Sequence, residues 1–170
     1  MKQTKKIQRI LGIDPGFGRV GYGIIEGSGS QWTHVTHGCI ETAKENSFVD
    51  RLVEVQTDLQ TIIDMYQPSI ACVEELFFLK NVTTGMNVSH ARGVILLTLH
   101  QAGIDIHEAT PLEIKQAITG YGQAHKEQVQ YMVAKLLKLP ETRLQDDAAD
   151  ALGAALYVSG QLAYIQKTTK

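Results

Sequence analysis

Long apolar runs are missing from this chain. Stretches such as Val94-Ile95-Leu96-Leu97 fall far short of the roughly 20 apolar residues that a bilayer-spanning helix needs, which argues against a membrane protein. The basic N-terminus, MKQTKKIQR, is followed by no apolar segment or small-residue cleavage site and does not read as a secretory leader. Cysteine is scarce, with only Cys39 and Cys72 in 170 residues. Cys72 lies inside the apolar run Ile70-Ala71-Cys72-Val73, so the pair reads as buried free thiols of a cytoplasmic protein rather than a disulfide or metal pair. Charge of one sign is lacking too: 16 basic against 18 acidic side chains leave a net charge of −2. Bulk electrostatics therefore do not mark a nucleic-acid binder, and such a partner would need positive charge concentrated locally. Repeats, linkers and low-complexity segments are also absent. One α/β domain over residues 1–170 is expected, with a core at about 7–160, a short basic N-terminal tail and a C-terminal tail that frays.

What is present has a regular order. Ile7 to Ile13 reads as a strand closed by Pro15-Gly16; Val20–Glu26 and Trp32–Ile40 follow, with Gly27-Ser28-Gly29-Ser30 as the turn between them. Ser47, with Asp50 three residues on, opens a helix whose apolar stripe is Phe48, Leu52, Val55, Leu59, Ile62 and Ile63, ended by Pro68. Ile70–Glu74 is a short, wholly apolar strand of the kind covered on both faces. A helix from about Thr84 to Gln101 is apolar nearly all round at Val94–Leu99, which makes that segment deep core or half of a dimer contact. Ile104–Glu108 is a fifth strand, and Thr110-Pro111-Leu112-Glu113 spells a capped helix start. Lys126–Leu139 is amphipathic and stopped by Pro140; a last helix begins near Asp146 and frays after Gly160. Together these predict a five-stranded mixed sheet, three antiparallel strands and then two parallel ones, flanked by helices.

Carboxylates stand where an apolar protein would not put them. Asp14 ends Ile10-Leu11-Gly12-Ile13, and Glu74 ends Ile70-Ala71-Cys72-Val73. In LQDDAADALGAAL, residues 144–156, three aspartates interrupt an alanine-rich helix. Asp147 and Asp150 are three apart, and Asp146 and Asp150 four apart, spacings at which like charges repel. If the first and fourth strands are parallel neighbours, Asp14 and Glu74 emerge side by side, and the small faces of Ala148, Ala149, Ala151 and Ala154 let the last helix approach them. Two unit charges about 5 Å apart at an effective dielectric near 20 repel by roughly 3 kcal/mol, about two pKa units. Such a cluster must be partly protonated or must bind a cation, and its all-oxygen donor set favours Mg²⁺ or Mn²⁺ over Zn²⁺. Taken singly, Asp146 or Asp147 reads equally well as a helix cap, and Asp14 as a turn aspartate. The six histidines are scattered, form no evident ligand pair and read as structural or surface residues, with His125 beside Lys126.

The segments ILGIDPG (10–16), GYGIIE (21–26), CVEELFFLKN (72–81), ARGV (91–94), IKQAITGYG (114–122), HKEQVQYMV (125–133), LLKLP (136–140) and DDAADALGAA (146–155), in this order, resemble a bacterial RuvC-type Holliday-junction resolvase. The resemblance spans roughly Ile7 to Gly160. It implies a ribonuclease-H-like fold, a homodimer, and Mg²⁺-dependent paired nicks across a four-way DNA junction. Two Mg²⁺ ions per site are expected, with Mn²⁺ able to substitute, and a branch-migration motor is a possible partner. The implied catalytic and metal-binding acids are Asp14, Glu74, Asp147 and Asp150; the DAAD alignment selects Asp147 over Asp146. The implied DNA contacts are Lys115 and Lys126, with Phe77 as junction-probing aromatic and Phe78 beside it, and Arg92 turned to a phosphate or a carboxylate. Lys126 opens a helix, where backbone N–H groups add to the ammonium in holding a phosphate. The chain departs from the family's usual wording at Val88-Ser89-His90 and at Phe17.

Rival readings are an actin-like sugar kinase or ATPase, a non-catalytic junction-binding module, and a ribonuclease-H-like nuclease with another nucleic-acid substrate. DPGFGRVGYG resembles the phosphate-binding hairpin of the first class, but those enzymes close two such subdomains around a nucleotide and need well over twice this length. The intact acids argue against the second. Fold alone does not separate the third.

Overall fold

The computed structural model describes residues 7–76, 82–140 and 144–168. Its elements run β1 (Gln8–Asp14), β2 (Arg19–Ser28), β3 (Gln31–Glu41), α1 (Phe48–Tyr66), β4 (Ile70–Glu74), α2 (Val82–Gln101), β5 (Asp105–Ala109), α3 (Pro111–Thr119), α4 (Lys126–Leu136) and α5 (Asp146–Thr168). The strands form one sheet in the order β3-β2-β1-β4-β5. β1, β2 and β3 pair antiparallel, while β4 pairs parallel to both β1 and β5, as the sequence predicts.

Two apolar layers flank the sheet. Leu11, Ile13, Val20, Ile24, Ala71 and Val73 pack with Val55, Leu59 and Ile63 of α1 and Ile95 and Leu99 of α2. Ile10, Ile25, Ile70 and Cys72 lie in the opposite layer with residues of α3, α4 and α5. The division follows from strand parity, since alternate side chains point to opposite faces. Local signals set the helix starts. The Ser47 side chain accepts from the Asp50 N–H, and Thr110 and Glu113 form a reciprocal capping box ahead of α3.

Three boundaries differ from expectation. α4 ends at Leu136, where Lys138 takes a left-handed φ of 53°, so the chain turns before Pro140 is reached. α5 does not fray after Gly160 but continues to Thr168, because Leu162 still packs on the core and Gln161 donates to the Tyr157 hydroxyl. β3 carries an irregularity opposite Ile24 and Ile25, where Thr36 and His34 are the successive partners and Val35 is the extra residue. The apolar stretch of α2 is deep core on one side and exposed on the other. Ile95 and Leu99 are fully buried, whereas Leu97 is 57% exposed. Exposed Val49 and Val53 lie on α1, which packs against α2.

Candidate active site

Parity and pairing bring the first two acids together. Ile10, Gly12 and Asp14 of β1 point to the α5 side, as do Ile70, Cys72 and Glu74 of β4. Ile13 is level with Val73 in the parallel ladder, so Asp14 and Glu74 leave neighbouring strand ends on the same face.

α5 supplies the others by lying unusually close to the sheet. A Cβ on Gly12 would stand 1.8 Å from the Ala151 carbonyl oxygen, and one on Gly21 only 2.0 Å from that of Asp147. Glycine is required at both positions because the helix backbone occupies the space of a side chain. From the helix side Ala148, Ala151 and Ala155 are fully buried, which keeps α5 flat on β1 and β2. The alanines were legible as a close-approach surface; the matching glycines on the strands were not recognised as its other half.

The resulting electrostatics are strained. Burial, then the charges of Glu74, Asp150 and Asp147, push the Asp14 carboxyl up to about 8, with Lys126 opposing. Glu74 is pushed up to about 7 by burial and by Asp150, against the pull of Lys115 and Lys126. Asp150 is raised as well, chiefly by burial. Cations relieve part of this. Arg19 Nε stands 3.0 Å from Asp147 Oδ2, and Lys126 Nζ is 3.3 Å from Asp146 and 3.7 Å from Asp150. Burial alone would lower the Lys126 pKa, but Asp150 and Asp146 outweigh it and the ammonium is held more firmly.

With Asp147 turned to Arg19 and Asp150 to Lys126, no three acid, His or Cys side chains among the described residues stand close enough to hold an ion as they lie. The donor set nevertheless fits a hard divalent cation. Its donors are carboxylate oxygens carried by β1, β4 and α5, the ligand chemistry that a hard divalent cation takes, and a cation among them would offset both their burial and their mutual repulsion. Asp146 accepts from Gln130 Nε2 at 2.6 Å and faces α4. Asp146 also shares the Lys126 ammonium with Asp150, whereas Asp147 turns to Arg19.

The remaining predicted residues fall in different places. Lys115, half-buried on α3, lies within electrostatic reach of Glu74 and Asp150. Arg92 ion-pairs with Glu108 and donates from Nε to the Glu74 carbonyl at 3.4 Å, so it braces the end of β4. Phe77 and Phe78 lie outside the described residues. His90 packs edge-on against Phe48, which stacks on Phe17; Arg51 lies over the Phe17 ring at 4.1 Å. The His125 N–H donates to Gln128 at the start of α4.

Sequence reasoning missed Arg19 and misplaced Cys39. The latter is half-exposed rather than buried, because parity on edge strand β3 turns its thiol to the α5 side, 3.9 Å from Asp147 Oδ2 and 3.5 Å from Arg19. An arginine five residues after the strand-end aspartate, next to an antiparallel return strand, was the available signal for Arg19.

Mixed strand order and a helix laid across the antiparallel strands define a ribonuclease-H-like fold, with acids at adjacent strand ends. The family Crossover junction endodeoxyribonuclease RuvC matches residues 10–157, and the chain belongs to that family. A Crossover junction endodeoxyribonuclease RuvC of Petrotoga mobilis is 49% identical over 146 residues, covering 86% of this chain and 90% of the relative. One from Halothermothrix orenii is 50% identical over 147 residues, covering 86% and 89%. Among solved structures, Thermus thermophilus RuvC in complex with a Holliday junction substrate superposes with a TM-score of 0.86 at 26% identity, over 92% of this chain and 96% of that one.

Proposed function

We propose that this chain is a structure-selective endodeoxyribonuclease that resolves four-way DNA junctions by paired nicks, through divalent-metal-assisted phosphodiester hydrolysis. The observation that carries the reading is the convergence of Asp14, Glu74 and Asp150 from β1, β4 and α5, with Asp14 pushed up to about 8 and Glu74 to about 7. Family membership and the junction complex of the Thermus thermophilus relative support the substrate.

Asp14, Glu74, Asp147 and Asp150 are the proposed ligands of two Mg²⁺ ions, for which Mn²⁺ can substitute. Such ions, when bound, lower the pKa of an attacking water and neutralise charge on the scissile phosphate. The protein's own contribution is positional. Asp14 and Glu74 are fixed by the ladder, and Asp147 and Asp150 by a helix that rests backbone to backbone on the sheet. Lys126 and Lys115 hold positive charge at the mouth of the cluster, where a phosphate oxygen can replace their carboxylate partners. Arg19 occupies the Asp147 carboxylate and can transfer to the DNA backbone in the same way. Phe77 and Phe78 are proposed as junction-contacting aromatics, and Arg92 as the brace that keeps Glu74 aimed.

A four-way junction has two-fold symmetry, so two symmetric nicks call for an isologous dimer. Exposed Val49, Val53 and Leu97 on the contacting helices α1 and α2 offer an apolar surface for it. A branch-migration motor is a further proposed partner, on family grounds. Among the described residues no helix is long and apolar enough to cross a membrane, and the cytoplasm is the proposed compartment. Purified protein incubated with a synthetic four-way junction, linear duplex and RNA–DNA hybrid, with Mg²⁺ or EDTA, tests the reading. Symmetric nicks on the junction alone, lost in Asp14→Asn while junction binding survives, are expected. ATP hydrolysis without nicking would point to the phosphotransferase class instead, and nicking of the hybrid to a different substrate.

A further inference from the structure

β3 holds a feature that the acid cluster does not use. In a regular strand, residues three apart point to opposite faces. The irregularity at Val35 reverses that parity: His34 is level with Ile25 and His37 with Gly23, both of which face the α5 side. The two imidazoles therefore meet, with His34 Nε2 and His37 Nδ1 2.8 Å apart and the rings tilted by 57°. Both are half-buried and open to solvent at the sheet edge.

We propose that His34 and His37 form a bidentate site for a borderline divalent transition-metal ion of the Zn²⁺, Cu²⁺ or Ni²⁺ class, distinct from the acid cluster. Three considerations support it. First, metal–imidazole bonds of about 2.0–2.1 Å at angles between a right angle and a tetrahedral one set the two nitrogens roughly 2.9–3.4 Å apart. The rings need to open by only a few tenths of an ångström. Second, both histidines have lowered pKa values, His34 from burial and then from the neighbouring His37, and His37 from burial. Neutral imidazoles are the ligating form. In the free protein one of the two facing nitrogens carries the proton of the 2.8 Å hydrogen bond; binding moves that proton to the far nitrogen of its ring, so both facing lone pairs reach the metal without net proton release. Third, the donor set is nitrogen only. Cys39, two residues on along the same strand, directs its thiol to Arg19, Gln145 and Asp147, and competes for no place in the pair. Imidazole donors prefer borderline ions, whereas an all-oxygen cluster prefers Mg²⁺. Two cation classes are thus sorted by donor chemistry on one face of the molecule, with water completing the coordination at the histidine pair.

Calorimetric titration of the intact protein with Zn²⁺, in millimolar Mg²⁺ so that the acids are occupied, tests this. One binding event is expected, unchanged in Asp14→Asn, Asp147→Asn and Cys39→Ser, and weakened on the order of tenfold or more in His34→Ala and in His37→Ala. Electron paramagnetic resonance of the Cu²⁺-loaded unmodified protein should show two coupled nitrogens, a readout that needs no variant to fold. A signal from one nitrogen or none, Zn²⁺ binding indifferent to both histidine substitutions, or binding lost in Asp147→Asn or Cys39→Ser would overturn the assignment.

Discussion

Replacing Asp14 by asparagine should make the metal-free protein more stable while abolishing nicking. In the folded state the Asp14 carboxyl titrates at about 8, against 3.8 for an unperturbed group. Between those values the folded protein binds a proton that the unfolded chain releases, so wild-type stability falls as pH rises. The cost is absent below about pH 3.8, grows by about 1.4 kcal/mol per pH unit, and is complete only above about pH 8. At pH 7 it amounts to roughly 4 kcal/mol and at pH 5 to about 1–2 kcal/mol. Asparagine reproduces the neutral acid without titrating, so Asp14→Asn should gain on the wild type by up to these amounts. Urea denaturation of both proteins in EDTA, across pH 5 to 8, reads the difference directly. Millimolar Mg²⁺ should then close the gap by stabilising the wild type alone. A difference independent of pH, or a variant less stable than wild type throughout, would refute the idea that burial, with the neighbouring acids, makes ionisation of Asp14 costly in the native state.

Gly12→Ala should destabilise the fold by roughly 2–3 kcal/mol, because its methyl meets the Ala151 carbonyl and must lift α5; thermal unfolding measures this, and nicking should fall more steeply than junction binding. Arg19→Ala should release the Asp147 carboxylate and lower the Mg²⁺ concentration for half-maximal cleavage about two- to fivefold, the worth of a half-exposed ion pair, as a Mg²⁺ titration would show. Leu97→Asp should split the proposed dimer in sedimentation velocity and turn paired nicks into single, uncoupled ones. Junction affinity should fall steeply with added salt, and Lys126→Ala should flatten that slope by about one unit.

Much of the architecture was legible because strand ends, caps and apolar runs are local signals. Ser47, Thr110 and the Ile70–Val73 run each announce an element without reference to the rest of the chain. The parallel pairing of β1 and β4 stood in the sequence only as a condition, under which two strand-end acids emerge side by side, and the ladder fulfils it. Features that depend on contacts between distant residues were not legible. Arg19 acquires meaning only when Asp147 is set against it, and Gly12 and Gly21 only when the backbone of α5 is in place. The His34–His37 pair was hidden because strict alternation separates the two rings, and only the extra residue in β3 joins them. The C-terminal limit of α5 was misjudged because glycine at position 160 suggested a stop, while packing of Leu162 overrode local preference.

Because α5 alone carries Asp147 and Asp150, partly synthesised chains contain Asp14 and Glu74 in isolation. Translation proceeds from the N-terminus, so the proposed cleavage centre comes into being only once α5 docks on the sheet. On that reading, chains that lack α5 should neither bind the metal nor cut DNA, because half of the proposed acid set has yet to arrive.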